Sequence, residues 1–106
     1  MSEFIPLIKV AEVATNKTHA LTVEGVELLI CNSNDDIVVV ENRCSHQDQP
    51  LTNGRVRNGY IICPLHGMRY RLTDGEAVGQ LTKLPIRVFN TRIEDGVIEI
   101  EAATLN

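Results

Sequence analysis

The chain has 106 residues, of which 43% are hydrophobic, 23% are charged and 4% are aromatic. A chain of this length has room for one domain, and its ordinary composition excludes a disordered or collagen-like protein. The net charge of −4 and the scarcity of aromatic rings argue against a nucleic-acid partner, because phosphate neutralisation needs a basic surface. We therefore expect a single globular domain over residues 1–106.

The sequence gives no sign of export or of a membrane partner. Its first residues lack a basic segment followed by a long apolar run, and no later apolar run is long enough to cross a bilayer. We therefore expect a cytoplasmic protein, in which thiols stay reduced. The three cysteines are then metal ligands or small buried side chains rather than disulfide partners.

Short strands separated by turn residues follow one another along the chain. A short helical turn is predicted near residues 10–14, and an Asn58-Gly59 pair predicts a hairpin turn. Period-two alternation and aliphatic runs predict strands over residues 19–23, 26–31, 37–40, 68–72, 86–93 and 97–101. This pattern predicts an all-β fold, a small antiparallel sandwich or barrel with two loops at one end.

Two segments do not fit this pattern of strands and turns, and they contain two of the three cysteines and two of the three histidines. Cys44-Ser45-His46 is followed, sixteen residues later, by Cys63-Pro64-Leu65-His66. Each segment supplies one thiolate and one imidazole, so a metal site is the leading interpretation. Two alternatives stay open, a zinc-binding structural module and a set of unrelated buried side chains.

The order of these residues favours a two-iron centre over one zinc ion. A zinc site with two cysteines and two histidines usually pairs like with like along the chain, whereas here each loop mixes the two. In one type of [2Fe–2S] cluster two histidines replace two cysteines on one iron. Such a cluster carries less negative charge, so its reduction potential is higher, roughly −150 to +300 mV against about −400 mV for four-cysteine clusters.

On these residues the sequence resembles the Rieske proteins. The motif Cys-x-His…Cys-x-x-His-Gly stands here as Cys44, His46, Cys63, His66 and Gly67. The resemblance implies one [2Fe–2S] cluster, with the cysteines on an inner iron and the histidines on an outer iron near solvent. It further implies a cluster-binding part at about residues 43–71 and a base formed by the rest of the chain.

Positions around the ligands distinguish members of this family. Respiratory-chain members place a further cysteine in each loop, and the matching residues here are Gln49 and Leu65. A hydroxyl that hydrogen-bonds the cluster in those members is replaced here by Met68, which cannot donate. Tyr70 matches a tyrosine of the family, and two interpretations stay open: its hydroxyl donates to a cluster-bound sulfur, which would raise the potential, or its ring only fills the core. The resemblance thus implies a reduction potential that is low among Rieske clusters.

Two residues next to the ligands shape the second loop. We expect Gly67 to serve a backbone turn and Pro64 to stiffen the loop by fixing its φ angle. Cys31 has no histidine at ligand spacing and lies in an aliphatic run, so we interpret it as a core residue.

The resemblance is strongest to the soluble ferredoxins of bacterial ring-hydroxylating oxygenase systems. It implies an electron carrier that is not itself an enzyme. The carrier would be a monomer that accepts electrons from an NAD(P)H-dependent flavin reductase and passes them to a terminal oxygenase. The alternative is the Rieske-like small subunit of an assimilatory nitrite reductase.

The charges are unevenly spread along the chain. Residues 43–71 have a net charge of +4, and the remainder has −8. Two interpretations stay open: arginines that alternate outward on a solvated sheet, or a basic surface that meets a partner protein.

Overall fold

The computed structural model describes residues 3–44, 50–64, 67–78 and 84–105. Within these ranges lie eleven β-strands and two short 3-10 helices, at Val10–Glu12 and Ala102–Leu105. The strands are β1 Phe4–Lys9, β2 Thr18–Val23, β3 Val26–Ser33, β4 Asp36–Glu41, β5 Arg55–Arg57, β6 Tyr60–Ile62, β7 Arg69–Arg71, β8 Ala77–Val78, β9 Val88–Phe89, β10 Thr91–Glu94 and β11 Val97–Glu101. The predicted all-β class is confirmed.

The strands form three antiparallel sheets. Their orders are β1-β11-β10, β2-β3-β4-β9 and β5-β6-β7-β8. We call them the base sheet, the central sheet and the loop sheet. In the central and loop sheets, most paired strands follow one another directly in the sequence. The exception is β9, which pairs with β4 although several strands separate them in the sequence.

Strand β3 is buried on both faces, and this explains its uninterrupted apolar run. Leu28 and Ile30 belong to a core shared with the base sheet, whereas Leu29 and Cys31 belong to a core shared with the loop sheet. Successive side chains of a strand point to opposite faces, so the central sheet lies between two hydrophobic cores. Cys31 is buried, as predicted.

The predicted hairpin turn at Asn58-Gly59 is present. Asn58 and Gly59 have φ angles of 51° and 83°, as a type I′ turn requires at both central positions. In β7 the predicted alternation is confirmed, because Met68, Tyr70 and Leu72 are buried and the arginines between them are exposed.

The predicted strand over residues 86–93 is wrong as a single element. It is divided into β9 and β10, with Asn90 between them. Phe89 pairs with Val39 of the central sheet, whereas Thr91 pairs with Ile100 of the base sheet. The aliphatic run therefore crosses from one sheet to the next, which periodicity alone does not reveal.

Strand β1 is not predicted from the sequence, because Pro6 interrupts its apolar run. Proline lacks the N–H that an interior strand needs, so it is confined to sheet edges and bulges. Strand β1 is an edge strand of the base sheet, and its register shifts between Pro6 and Lys9. No helix of the described residues is long and apolar enough to cross a membrane.

Gly75 packs directly against the backbone of Ile86, and this contact can be tested by substitution. Its φ angle is 77°, and a Cβ atom added there would overlap the backbone carbonyl oxygen of Ile86. We expect Gly75→Ala to lower the free energy of unfolding by about 3 kcal/mol or more, since conformational strain and a backbone clash add.

The matched control is Gly25→Ala. Gly25 has a φ angle of 81° and no heavy atom within 4 Å of an added Cβ, so only the conformational cost of about 1–2 kcal/mol applies. Urea denaturation measures both variants. Equal losses of stability would show that the contact between Gly75 and Ile86 is unimportant.

Candidate metal centre

The two cysteines of the predicted site lie in the same buried cluster of side chains. Cys44 follows the end of β4 and is 1% exposed, and Cys63 follows β6 directly and is 2% exposed. Each cysteine therefore begins a loop at the end of a strand, in the core between the central and loop sheets. His46 and His66 lie outside the described residues.

Asn42 closes the first of these loops at its base. Its side-chain oxygen accepts hydrogen bonds from the backbone N–H groups of Leu51, at 2.7 Å, and Thr52, at 3.0 Å. Its side-chain nitrogen donates to the hydroxyl of Thr52 at 2.7 Å, and its backbone N–H donates to the carbonyl of Glu27. Asn42 is 7% exposed, so a buried polar side chain fixes both ends of the loop that contains Cys44.

The second loop is a short turn between β6 and β7. The backbone N–H of Cys63 donates to the carbonyl of Met68 at 2.7 Å, and the N–H of Gly67 donates to the carbonyl of Cys63 at 3.1 Å. Gly67 has a φ angle of 68°, a conformation that costs glycine little. Pro64 is exposed in the same turn. The predicted turn role of Gly67 is thus confirmed.

Tyr70 connects the two loops. It lies in β7, just after the second loop, and is fully buried. Its hydroxyl oxygen is 3.2 Å from Sγ of Cys44 in the first loop. A metal-bound cysteine is a thiolate without a proton, so in a loaded site the hydroxyl must be the donor. Such a donor stabilises negative charge on the sulfur.

Cys31 shows what a buried cysteine without a metal is like in this fold. It is fully buried in β3, and burial raises the pKa of its thiol to about 12. The Sγ atom of Cys31 is 3.9 Å from the carbonyl oxygen of Leu29, a weak contact that suits a neutral thiol.

The described half of the site suits a thiophilic metal centre. Within residues 3–44, 50–64, 67–78 and 84–105, no three side chains of the types His, Cys, Asp or Glu gather into a metal site. These ranges contain both candidate thiolates and one tyrosine donor. Thiolates are the ligands that soft cations such as iron in a cluster prefer, so two cysteine sulfurs in one core suit such a centre.

The clamp formed by Asn42 is not predicted from the sequence. From the sequence alone, Asn42 would be interpreted as an ordinary turn residue between an aliphatic strand and a cysteine. Its partners Leu51 and Thr52 are nine and ten residues away, so nothing local identifies them. The available signal is its position: a polar side chain that follows a buried strand directly must find hydrogen-bond partners.

Comparison with known proteins identifies the family. The model of the Rieske [2Fe-2S] domain matches residues 3–90. The ferredoxin subunit of anthranilate 1,2-dioxygenase from Burkholderia cepacia is 28% identical over 101 residues, which cover 94% of this chain and 93% of the relative.

Two solved structures have the same fold. The ferredoxin of Sphingomonas yanoikuyae B1 superposes with a TM-score of 0.87 at 29% identity, covering 93% of this chain and 98% of that one. A chain from the complex of reduced oxygenase and oxidised ferredoxin in carbazole 1,9a-dioxygenase has a TM-score of 0.85 at 18% identity, covering 92% of both chains. At that identity the likeness concerns the fold alone.

The clamp can be tested by substitution. Asn42→Ala removes the acceptor of the Leu51 and Thr52 N–H groups, and a buried N–H without a partner costs about 1–3 kcal/mol. We expect a loss of about 2–4 kcal/mol in the free energy of unfolding, measured by urea denaturation.

Thr52→Val is the matched control, because it removes only the hydrogen bond from the side-chain nitrogen of Asn42. We expect it to cost about 1 kcal/mol. If Thr52→Val were as damaging as Asn42→Ala, the two backbone hydrogen bonds would not be the main contribution of Asn42.

Proposed function

The chain belongs to the family of Rieske [2Fe–2S] domains, and on that premise we propose that it is the electron-carrying ferredoxin of a ring-hydroxylating oxygenase system. It holds one [2Fe–2S] cluster, which takes up and releases one electron. The proposed donor is an NAD(P)H-dependent flavin reductase, and the proposed acceptor is a terminal oxygenase. The chain transfers electrons and leaves substrate chemistry to its partners.

The observation that carries this proposal is the contact between Tyr70 and Cys44 in a core that also contains Cys63. Two buried cysteine sulfurs, the proposed ligands, thus lie in one core with a hydroxyl next to one of them. The proposed ligands are Cys44 and Cys63 for one iron and His46 and His66 for the other. The names of the relatives, ferredoxin components of dioxygenase systems, support the carrier role.

This chain's own residues have three tasks in that role. The buried core keeps water away from the sulfur ligands, which strengthens electrostatic interactions there. The hydroxyl of Tyr70 donates to Sγ of Cys44 and so stabilises the negative charge that grows on reduction. The clamp of Asn42 and the turn at Gly67 hold the two loops in place, so little rearrangement is needed when the charge changes.

The proposal is tested by metal analysis and by one matched pair of variants. The purified protein is expected to contain iron and acid-labile sulfide in equal amounts, and its reduced form is expected to show the electron paramagnetic resonance signal of a [2Fe–2S] cluster. Cys44→Ala removes a ligand and is expected to abolish both. Cys31→Ala, a change of the same size in the same core, is expected to retain them.

Each alternative gives a different result in that experiment. A colourless protein that contains zinc would overturn the proposal in favour of a structural zinc module. Iron loss in Cys31→Ala but not in Cys44→Ala would overturn the ligand assignment. In a mixture of reductase and terminal oxygenase, product formation that does not require the loaded chain would overturn the carrier role.

The tyrosine contact predicts a change in reduction potential. Tyr70→Phe removes a donor to the sulfur of Cys44, so reduction becomes less favourable and the potential falls. A hydrogen bond worth about 0.5–1.5 kcal/mol corresponds to roughly 20–60 mV for one electron, at about 59 mV per tenfold change.

Tyr60→Phe is the control for this measurement. Tyr60 is partly exposed on the outer face of the loop sheet, away from the buried sulfur of Cys44. Its substitution is expected to leave the potential unchanged in a redox titration. An equal fall in both variants would contradict the role given to Tyr70.

A further inference from the structure

The outer face of the loop sheet carries a compact group of basic and apolar side chains. In the strand register, Arg55 lies opposite Ile62 and Ile62 opposite Arg69, while Arg57 lies opposite Tyr60. Residues paired across antiparallel strands point to the same face. These five residues form what we call the arginine face.

In the part of the chain that the structure describes, no carboxylate neutralises the three arginines of the arginine face. Arg55, Arg57 and Arg69 are exposed, and among the described residues no carboxylate oxygen lies within 4 Å of them. Arg71 lies opposite Tyr60 on the same face but differs, because its guanidinium is 2.7 Å from the carboxylate of Asp74. The arginine face is therefore positive on a protein whose net charge is −4.

Apolar surface lies at the centre of these charges. Ile62 and Tyr60 are partly exposed between the arginines, and the guanidinium of Arg69 lies 5.8 Å from the centre of the Tyr60 ring. Tyrosine and arginine are enriched in protein interfaces, where a less polar centre is surrounded by a polar rim.

The arginine face is continuous with the loop that contains Cys63. A shallow depression of about 430 Å³ is lined by Arg55, Ile62 and Cys63 together with Pro64 and Gly67. A neighbouring depression of about 330 Å³ is lined by Arg57, Tyr60, Ile62 and Arg69. Ile62 lines both, so a partner seated on the arginine face would also contact the second ligand loop.

We propose that the arginine face is the docking surface for a carboxylate-rich surface of an electron-transfer partner protein. This inference rests on the proposed function and adds the surface and its charge. Arginine forms paired hydrogen bonds with carboxylates, and opposite charges steer two proteins into contact. The partner's carboxylates would meet the three arginines while an apolar side chain of the partner contacts Ile62 and Tyr60.

The first test maps where anions dock on the loaded protein. Hexacyanochromate(III) is a redox-inert, paramagnetic trivalent anion that broadens the nuclear magnetic resonance signals of nearby residues. We expect it to broaden the signals of Arg57 and Tyr60 at concentrations that leave the base sheet unaffected. Broadening confined to other surfaces, or none at 0.1 M salt, would overturn the proposal.

The second test measures electron transfer to a small anionic oxidant. The reduced protein gives one electron to Co(III) in Co(EDTA)⁻, which becomes Co(II), and stopped-flow absorbance follows the reaction. At 0.1 M salt charges act over about 10 Å, so only charges near the contact matter. We expect Arg55→Glu and Arg57→Glu each to slow the reaction roughly threefold, a part of the roughly 10- to 1000-fold effect that a whole charged surface produces.

Lys9→Glu is the matched control, with the same change in net charge. Lys9 is exposed on β1 in the base sheet, and its substitution is expected to leave the rate unchanged. The cationic oxidant hexaamminecobalt(III) is expected to react faster with both arginine variants. Equal effects of Lys9→Glu and Arg57→Glu would show that net charge alone acts, and would overturn the proposal.

Other occupants of the face would give different results. Sedimentation with phosphatidylserine vesicles that depends on the arginines would overturn the proposal in favour of a membrane surface. A dimer that dissociates in high salt and is lost in Arg57→Glu would overturn it in favour of a second copy of this chain. All tests begin from protein with a measured iron content, so a failed docking test is distinct from a missing cluster.

Discussion

The hydrogen bond between Tyr70 and Cys44 joins parts of the chain that different sheets provide. Cys44 follows the central sheet, and Tyr70 belongs to the loop sheet. Their contact fixes how closely the two sheets approach at the end where both candidate loops begin. Since Tyr70 is fully buried, its hydroxyl needs a partner, and the sulfur supplies one. The same bond thus contributes to packing and to the chemistry of the site.

The central sheet separates two kinds of core. The core shared with the base sheet consists of aliphatic side chains and Phe89. The core shared with the loop sheet contains all three cysteines and Tyr70. Neighbouring side chains of β3 face opposite sides of the sheet. A substitution at Leu28 or Ile30 therefore affects the core shared with the base sheet, and one at Leu29 or Cys31 affects the core shared with the loop sheet. A substitution on the side of β3 that faces the base sheet therefore changes stability without contacting the cysteines of the site.

Sequence patterns predict the parts of this structure whose causes are local. The Asn58-Gly59 turn and the alternation around Tyr70 depend on a few neighbouring residues, and both are confirmed. The spacing of the cysteines and histidines leads to the correct family in the same way. The division of residues 86–93 at Asn90 depends on two distant sheets, which no local pattern records. The sequence does not predict strand β1, because proline is tolerated only at sheet edges and bulges and a local pattern does not say which strand is an edge.

The ring of hydrogen bonds around Asn42 has a consequence for how the first loop can change. Residue 42 and residues 51–52 are held together by side-chain and backbone bonds, so the stem of the loop is set independently of the residues within it. Closing a loop whose ends are already fixed costs little more as the loop grows, about 0.6 kcal/mol for each doubling of its length. Lengthening the loop would therefore cost little in closure entropy as long as Cys44 keeps its contact with Tyr70, so the clamp leaves the chain free to vary in length without disturbing the supporting sheet.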